Sequence, residues 1–403
     1  MHVRPAYADE VVLDPYDYDF HEEPYHSYRR LRDEAPLYYN HEMKFWALSR
    51  HRDVLTGFRN SSALSSRYGI SLDPTSRSPH AHKVMSFVAL DDPEHSRLRA
   101  LVSKGFSPRR IRELEPTITA IAVQHLEAAL QSHTFDFVEA FAGKFPMDVI
   151  SEIVGVPATD RDCIRVLGNN VVHRDDGMAD VPESAIQASG DLVAYYTTLV
   201  AERRKRPRDD LTSALIAAEI DGDHLTDEEI SAFLFLLVAA GNETTTKLLA
   251  NALYWGSVHA EQLAKVHDDH ALIPSWIEET LRFDTPIQIL ARSVSGPLTL
   301  YGTTIPHGDV LLLLPGSANR DGRVFKDADC YRIGRDIGAN LATFGSGAHF
   351  CLGAHLARME ARVALVELLK RISAFEVDTA GALRVHSTNA RGFARLPLTA
   401  ALR

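Results

Sequence analysis

The sequence predicts a mainly α protein with a small β portion, and three observations carry that prediction. Thr226-Asp227-Glu228-Glu229 forms a capping box, with Thr226 as N-cap and Glu229 reaching back from the third helical position. Behind it, Ile230 to Ala240 is apolar on nearly every face. The pattern resumes from Leu248 to Trp255, which makes a helix of roughly 30 residues and about 45 Å that must be buried in a large core. Helical spacing dominates elsewhere, and strand-like segments are short.

Taken in order, Glu23 to Asp33 places Tyr25, Tyr28 and Leu31 near helical spacing and stops before Pro36. Leu37–Tyr39 and Phe45–Leu48 read as short strands. Residues 65–90 contain Gly69, Pro74 and Pro79 and read as a long irregular stretch, the kind of loop that serves as a lid or substrate loop. Helical periodicity returns at His95–Gly105 and Pro108–Ser132 and runs through much of the chain to Glu219. Residues 291–315 read as strands with turns at Gly296-Pro297, Tyr301-Gly302 and Pro306-His307-Gly308. A further helix starts near Ala354 and ends about Ile372, and the tail from Phe375 reads as hairpins.

With 403 residues, 45% of them hydrophobic, the chain can bury a large core. No linker, repeat or low-complexity tract divides it, so residues 1–403 are expected to form a single domain with 1–20 a partly irregular lead-in. A net charge of −11 argues against nucleic acid as a partner. The three cysteines, Cys163, Cys330 and Cys351, are widely spaced, which points to a reducing compartment rather than a disulfide framework. The polar N-terminus has no apolar signal region, and Ala232–Ala240 is too short to span a bilayer. A cytoplasmic protein without a membrane anchor, acting as a monomer, is expected.

The most informative segment is Phe344-Gly345-Ser346-Gly347-Ala348-His349-Phe350-Cys351-Leu352-Gly353. It sets a cysteine in a glycine-rich, otherwise apolar turn just ahead of a helix. Glycine allows positive φ and close approach of a flat ligand, and the helix N-terminus favours the thiolate. A second segment, Gly241-Asn242-Glu243-Thr244-Thr245-Thr246, interrupts the apolar helix with polar residues. Either the helix surfaces there, or Gly241 lets a flat ligand lie against backbone while Glu243 and Thr244 supply a carboxylate and a hydroxyl. A third, Glu279-x-x-Arg282, pairs opposite charges at i,i+3, with Arg332 expected as the third member of a buried network. His349-x-Cys351-x-x-x-His355 is a poor zinc site, because no second ligand pair is present at close spacing.

In these residues the chain resembles the cytochrome P-450 haem-thiolate monooxygenases. The pattern Phe-Gly-x-Gly-x-His-x-Cys-x-Gly is matched at Phe344, Gly345, Gly347, His349, Cys351 and Gly353. Ala-Gly-x-acid-Thr is matched at Ala240, Gly241, Glu243 and Thr244, and Glu-x-x-Arg at Glu279 and Arg282. Asp92-Pro93-Glu94-His95-Ser96-Arg97-Leu98-Arg99 looks like the early haem-contacting helix of bacterial members. The resemblance implies the cytochrome P-450 fold, with haem b between the long helix and the cysteine loop. It implies Cys351 as axial iron ligand, and His95, Arg99, Arg292 and His349 as partners of the haem propionates. It also implies that Thr244 and Glu243 handle dioxygen and its protons, with Ala240 and Gly241 against the haem.

The same resemblance implies electrons from a separate ferredoxin and its NAD(P)H-dependent reductase. Lys104, Arg109, Arg110, Arg358 and Arg362 are the candidate docking patch. The candidate substrate pocket comprises Tyr68, Ile70, Met85, Phe87, Val88, Leu237, Val238, Ile287, Ile289, Leu290 and Phe393. These are mostly apolar, so a lipid- or terpenoid-like substrate, hydroxylated or epoxidised, is expected. A haem-thiolate sensor, carrier or peroxide-driven enzyme is the alternative, and the Glu243–Thr244 pair distinguishes the two.

Overall fold

The computed structural model describes residues 11–106, 108–173 and 180–403; the first half of the lead-in expected over residues 1–20 lies outside them. Helices dominate, as the sequence predicts. The ones that build the site are α1 (His51–Arg59), α2 (Glu94–Gly105), α3 (Phe145–Val154), α4 (Glu183–Lys205), α5 (Asp227–Val258), α6 (Ile273–Phe283) and α7 (Ala354–Arg371). None of the helices among the described residues is long and apolar enough to cross a membrane.

The 32-residue α5 runs through the middle of the largest core cluster and packs against α3, α4, α6 and α7. Its predicted capping box is formed: Glu229 N donates to Thr226 Oγ1 at 3.2 Å, and Thr226 N donates to Glu229 Oε2 at 2.9 Å. The polar insert does not interrupt the helix, and the helix does not surface there. Asn242, Thr245, Thr246 and Lys247 are buried among neighbouring elements; Thr246 Oγ1 donates to Ala142 O at 2.7 Å, and Asn242 Nδ2 to Asn169 Oδ1 at 3.3 Å. Buried polar groups need such partners.

The β portion centres on a five-stranded sheet of β1 (Leu37–Asn40), β2 (Phe45–Leu48), β3 (Leu64–Ser65), β4 (Leu290–Val294) and β5 (Val310–Leu313), in the order β1-β2-β5-β4-β3. All pairings are antiparallel except β2 with β5. Gly302 and Gly308 adopt positive φ in the turns expected between 291 and 315. The tail pairs Ile372–Val377 with Pro397–Leu402 and Leu383–Arg384 with Phe393–Arg395. Between β3 and α2 the chain holds only short helical turns, such as Pro74–Ser76 and His82–Met85. This stretch is tied to the approach to α4, because Thr75 donates to Asp180 from its backbone N at 2.9 Å and from its hydroxyl at 2.7 Å.

Candidate functional site

The cysteine loop is shaped by backbone. Gly345 and Gly347 sit at φ of 69° and 71°. At Gly347 a Cβ would fall 3.0 Å from Arg59 Cα and 3.1 Å from Phe58 O, so only glycine lets the loop lie against the end of α1. Cys351 N donates to Phe344 O at 2.9 Å, closing the loop just before α7. The Cys351 side chain is accessible because it faces an internal cavity. Burial pushes its thiol pKa up; hydrogen bonds from the backbone N–H of Gly353 and Ala354, and the charges of Arg99 and Arg358, pull it down. The backbone part is the helix-terminus effect read from the sequence, but burial outweighs it and the thiol pKa ends raised.

The cavity has a volume of about 680 Å³, with Cys351 in one wall and α5 in another. Ala240, Gly241, Glu243 and Thr244 line it, as do Phe344, Gly345 and Gly353 on the loop side. Positions 237, 240, 241 and 244 recur at helical spacing and so share a face. Ala240 is exposed in the middle of α5, and it lines the cavity wall. Thr244 Oγ1 donates to Ala240 O at 2.8 Å, leaving its lone pairs open. A Cβ at Gly353 would meet nothing within 4 Å, and the backbone there does not require glycine.

Basic side chains from three segments meet at one edge of the cavity. Arg99 of α2, Arg292 of β4 and His349 of the cysteine loop line it, and the His95 ring packs behind, its centroid 4.1 Å from that of His349. The i,i+4 spacing of His95 and Arg99 puts both on one side of α2, as expected. Both His95 ring nitrogens and Arg99 Nη1 are buried without a hydrogen-bond partner; the nearest carboxylate oxygen to His95 is Asp92 Oδ1 at 3.6 Å from Nδ1. Burial lowers the His349 pKa to about 3, assisted by Arg292, His95 and Arg99, and burial brings Arg292 down to about 10. Two arginines crowded against imidazoles, with donors left unused, call for an anion.

The i,i+3 pair on α6 is wholly buried. Arg282 Nε and Nη2 each donate to the Glu279 carboxylate at 2.8 Å. The expected third member is corrected. Arg332 is exposed and contributes only its backbone N–H, 2.7 Å from Glu279 Oε1, whereas Arg335 Nε lies 3.2 and 3.1 Å from the two carboxylate oxygens. Burial alternates from Tyr331 through Ile333 to Arg335, so position 332 points outward; that period-two pattern is the signal the sequence reading missed. Arg282 also donates to Asn319 O at 3.0 Å. The Asn319 side chain in turn accepts from Ala342 N at 2.8 Å and donates to Thr343 Oγ1 at 2.9 Å, which leads directly into Phe344. The ion pair therefore braces the cysteine loop through one asparagine.

Of the expected pocket residues, Ile70, Met85, Phe87, Val88, Leu237, Ile287 and Leu290 line the cavity. Four do not. Tyr68 is exposed to solvent. Val238, one position around α5 from Leu237, packs over Gly168. Ile289 shares a core with Ala291 on the side of the strand opposite Leu290 and Arg292, a consequence of strand alternation. Phe393 packs tilted against Tyr254, ring centroids 4.6 Å apart, with the Arg384 guanidinium 4.4 Å over its ring, behind the wall.

Glu360, which the sequence reading passed over, is buried on α7 and lines the same cavity. Burial lifts its carboxyl pKa from 4.5 to about 8, with the Thr245 hydroxyl, its hydrogen-bond partner, opposing the rise. The folded chain thus keeps a proton that the unfolded chain loses, and stability falls as pH rises from about 4.5 to about 8. Glu360→Gln is expected to flatten the stability–pH curve over that range and to be more stable than the parent at its top, by at most about 5 kcal/mol. Urea melts at a series of pH values test this, and parallel curves for the two proteins would show the carboxyl to be ionised throughout.

Comparison with known proteins agrees with this geometry. Residues 186–402 match the family model described as Cytochrome P450. The chain is 67% identical over 390 residues to the protein named cytochrome P450 123 of Mycobacterium tuberculosis, covering 97% of each. The chain belongs to the cytochrome P450 family. PksS of Bacillus subtilis, a polyketide biosynthesis P450, is 32% identical over 92% of this chain and 94% of its own. Its structure superposes with a TM-score of 0.88, covering 97% of this chain and 100% of that one. CYP109E1 of Bacillus megaterium, solved in complex with testosterone, superposes at 0.84 with 32% identity, covering 93% and 99%.

The family is one of haem-thiolate monooxygenases, and within this P450 the basic patch expected for docking is largely paired. Arg109 bonds Glu113 at 2.9 Å and Arg362 bonds Glu115 at 2.8 Å. Arg358 forks onto Glu278 at 2.5 and 3.0 Å, and Lys104 donates to Glu219 O. Arg110 lies 3.8 Å from Asp209.

Proposed function

We propose that this P450 inserts one atom of dioxygen into an apolar, lipid- or terpenoid-like molecule, by hydroxylation or epoxidation. The observation that carries the reading is one cavity bounded by Cys351, by the Glu243–Thr244 face of α5 and by the cluster of His95, Arg99, Arg292 and His349. Haem b suits that cavity. Cys351 would be its axial ligand, and the unused donors of His95 and Arg99, with Arg292 and His349, match a dianionic edge. Ala240 and Gly241 would face one side of a flat ring system, and Phe344, Gly345 and Gly353 the other. Bound haem supplies redox-active iron, which a thiolate ligand equips for O–O cleavage.

The chain's own residues then have separable tasks. Thr244, with its proton committed to Ala240 O, offers lone pairs to a donor in the cavity and turns to donate when that bond is released. Glu243 places a carboxyl group next to it, within reach of the cavity, to relay protons. Ile70, Met85, Val88, Leu237, Ile287 and Leu290 exclude water and orient an apolar molecule. The steroid held by CYP109E1 falls within the proposed chemical class. Electrons come from a separate ferredoxin with its reductase. The whole chain is proposed to fold as a single domain around this cavity.

The reduced protein treated with carbon monoxide is expected to absorb at about 450 nm; a histidine-type band or no haem at all would sink the assignment. Substrates are found by screening steroids, terpenoids and fatty acids for the low-to-high-spin shift. Thr244→Ala should keep haem and that spectrum yet lower product formed per electron consumed by roughly 10-fold. Unchanged coupling would remove Thr244 from proton handling.

A further inference from the structure

We infer that Lys247 is a positioning residue for Glu243: its buried ammonium, the counter-charge of the Glu243 carboxylate, holds that side chain in place at the cavity wall and so sustains proton handling by the Glu243–Thr244 pair. The inference rests on the reading of Glu243 and Thr244 as the proton-handling pair, and it gives that pair a third member that no motif in the sequence pointed to.

Lys247 follows Glu243 by four residues on α5, the spacing that brings an acid and a base together with the acid nearer the N-terminus. Nζ lies 3.9 Å from Glu243 Oε1, and the lysine side chain is 8% exposed against 22% for the glutamate. Lysine stems often lie along apolar surface with the charge in water; here the ammonium does not emerge. Its other polar neighbour is the Phe393 carbonyl at 3.4 Å. The tail has made room for it. A Cβ at Gly392 would fall 2.6 Å from both Cβ and Cδ of Lys247, so glycine at 392 is what admits the lysine stem.

A buried ammonium needs a counter-charge. Glu243 is the charged group acting on Lys247 among the described residues. The tail presents backbone there, and Asn251, one turn further along α5, is neutral. Burial lowers the lysine pKa and Glu243 opposes the fall. The titratable groups sharing the cavity with Glu243 are Asp73, His80, Arg99, Arg292, His349, Cys351 and Glu360. Of these Asp73 and Glu360 are the other carboxyls; Asp73 accepts from Thr388 Oγ1 at 3.2 Å, and Glu360 is bonded to Thr245. A methionine would fill the slot behind Glu243 without any charge, so the lysine is best explained by what its charge does to the carboxylate.

The experiment uses the haem-loaded protein and has two readouts. The first is a double-mutant cycle of urea midpoints with Glu243→Gln, Lys247→Met and the double variant, which does not depend on turnover. Glu243→Gln alone strands the ammonium and should lower the midpoint, and adding Lys247→Met should recover most of that loss. The second is product formed per electron consumed at a fixed pH. It should fall by roughly 10-fold in Lys247→Met and in Lys247→Gln, and be kept in Lys247→Arg. Glu360→Gln and Asp73→Asn are the controls for the other cavity carboxyls.

Additive midpoints overturn the inference. So does coupling that is unchanged in the neutral variants, or that falls equally in Lys247→Arg. Failure of the underlying reading looks different: the parent protein would then lack the thiolate spectrum or form no product, whatever the midpoints report.

Discussion

Replacing Cys351 with alanine is expected to abolish the absorption at about 450 nm of the reduced, carbon monoxide-treated protein, while leaving the fold nearly intact. The two effects separate because the loop does not depend on the sulfur for its shape. Cys351 N bonds Phe344 O, Gly345 N bonds Ala342 O at 2.9 Å, and Phe350 N bonds Gly347 O at 3.1 Å. The side chain faces the cavity and is not packed in a core, so alanine removes no close contacts of the kind whose loss makes core truncations costly. Thermal melts of the haem-free variant and parent should agree to within about 1 kcal/mol. A variant that kept the band would show that another residue holds the iron.

The second large effect is expected at the buried ion pair. Arg282→Ala should destabilise the chain by about 3–5 kcal/mol, because it removes one partner of a fully buried pair and orphans the carbonyls of Asn319 and Ala328. Lysine should not rescue it, since a single ammonium cannot reproduce the planar fork that holds both carboxylate oxygens as well as three carbonyls. Arg335→Ala should also be costly, whereas Arg332→Ala should fall within about 0.5 kcal/mol of the parent because its side chain is exposed. Equal losses at 332 and 335 would contradict the network. Haem retention should fall together with stability in Arg282→Ala, since the ion pair reaches Ala342 and Thr343 through Asn319.

The comparison between what was read from the sequence and what the fold contains turns on the range of the interactions involved. The capping box at Thr226, the course of α5, the strands at 37–48 and the glycine turns were legible because each depends on neighbours within a few residues. The cavity face of α5 was legible at Leu237, Ala240, Gly241 and Thr244. Val238 was misplaced, because an apolar residue on a helix buried all round gives no sign of which neighbour it meets. Ile289 failed by one residue, which in a strand is enough to reverse the face. Arg332 was named and Arg335 was not, because order along the chain cannot tell a side-chain contact from a backbone one.

The sequence by itself determined the chemistry: a cysteine ahead of a helix, an acid–alcohol pair inside an apolar helix, and an acid–arginine pair between them. These are local arrangements whose meaning lies in residue type and spacing. Only the tertiary structure decided that α2, β4 and the cysteine loop bring His95, Arg99, Arg292 and His349 to one cavity edge, and that Glu360 is buried beside Thr245. The same is true of Lys247, which lies behind Glu243 because Gly392 leaves space for it. Burial and charge proximity arise when distant segments pack together, and both act through distances that the order of residues along a chain does not contain.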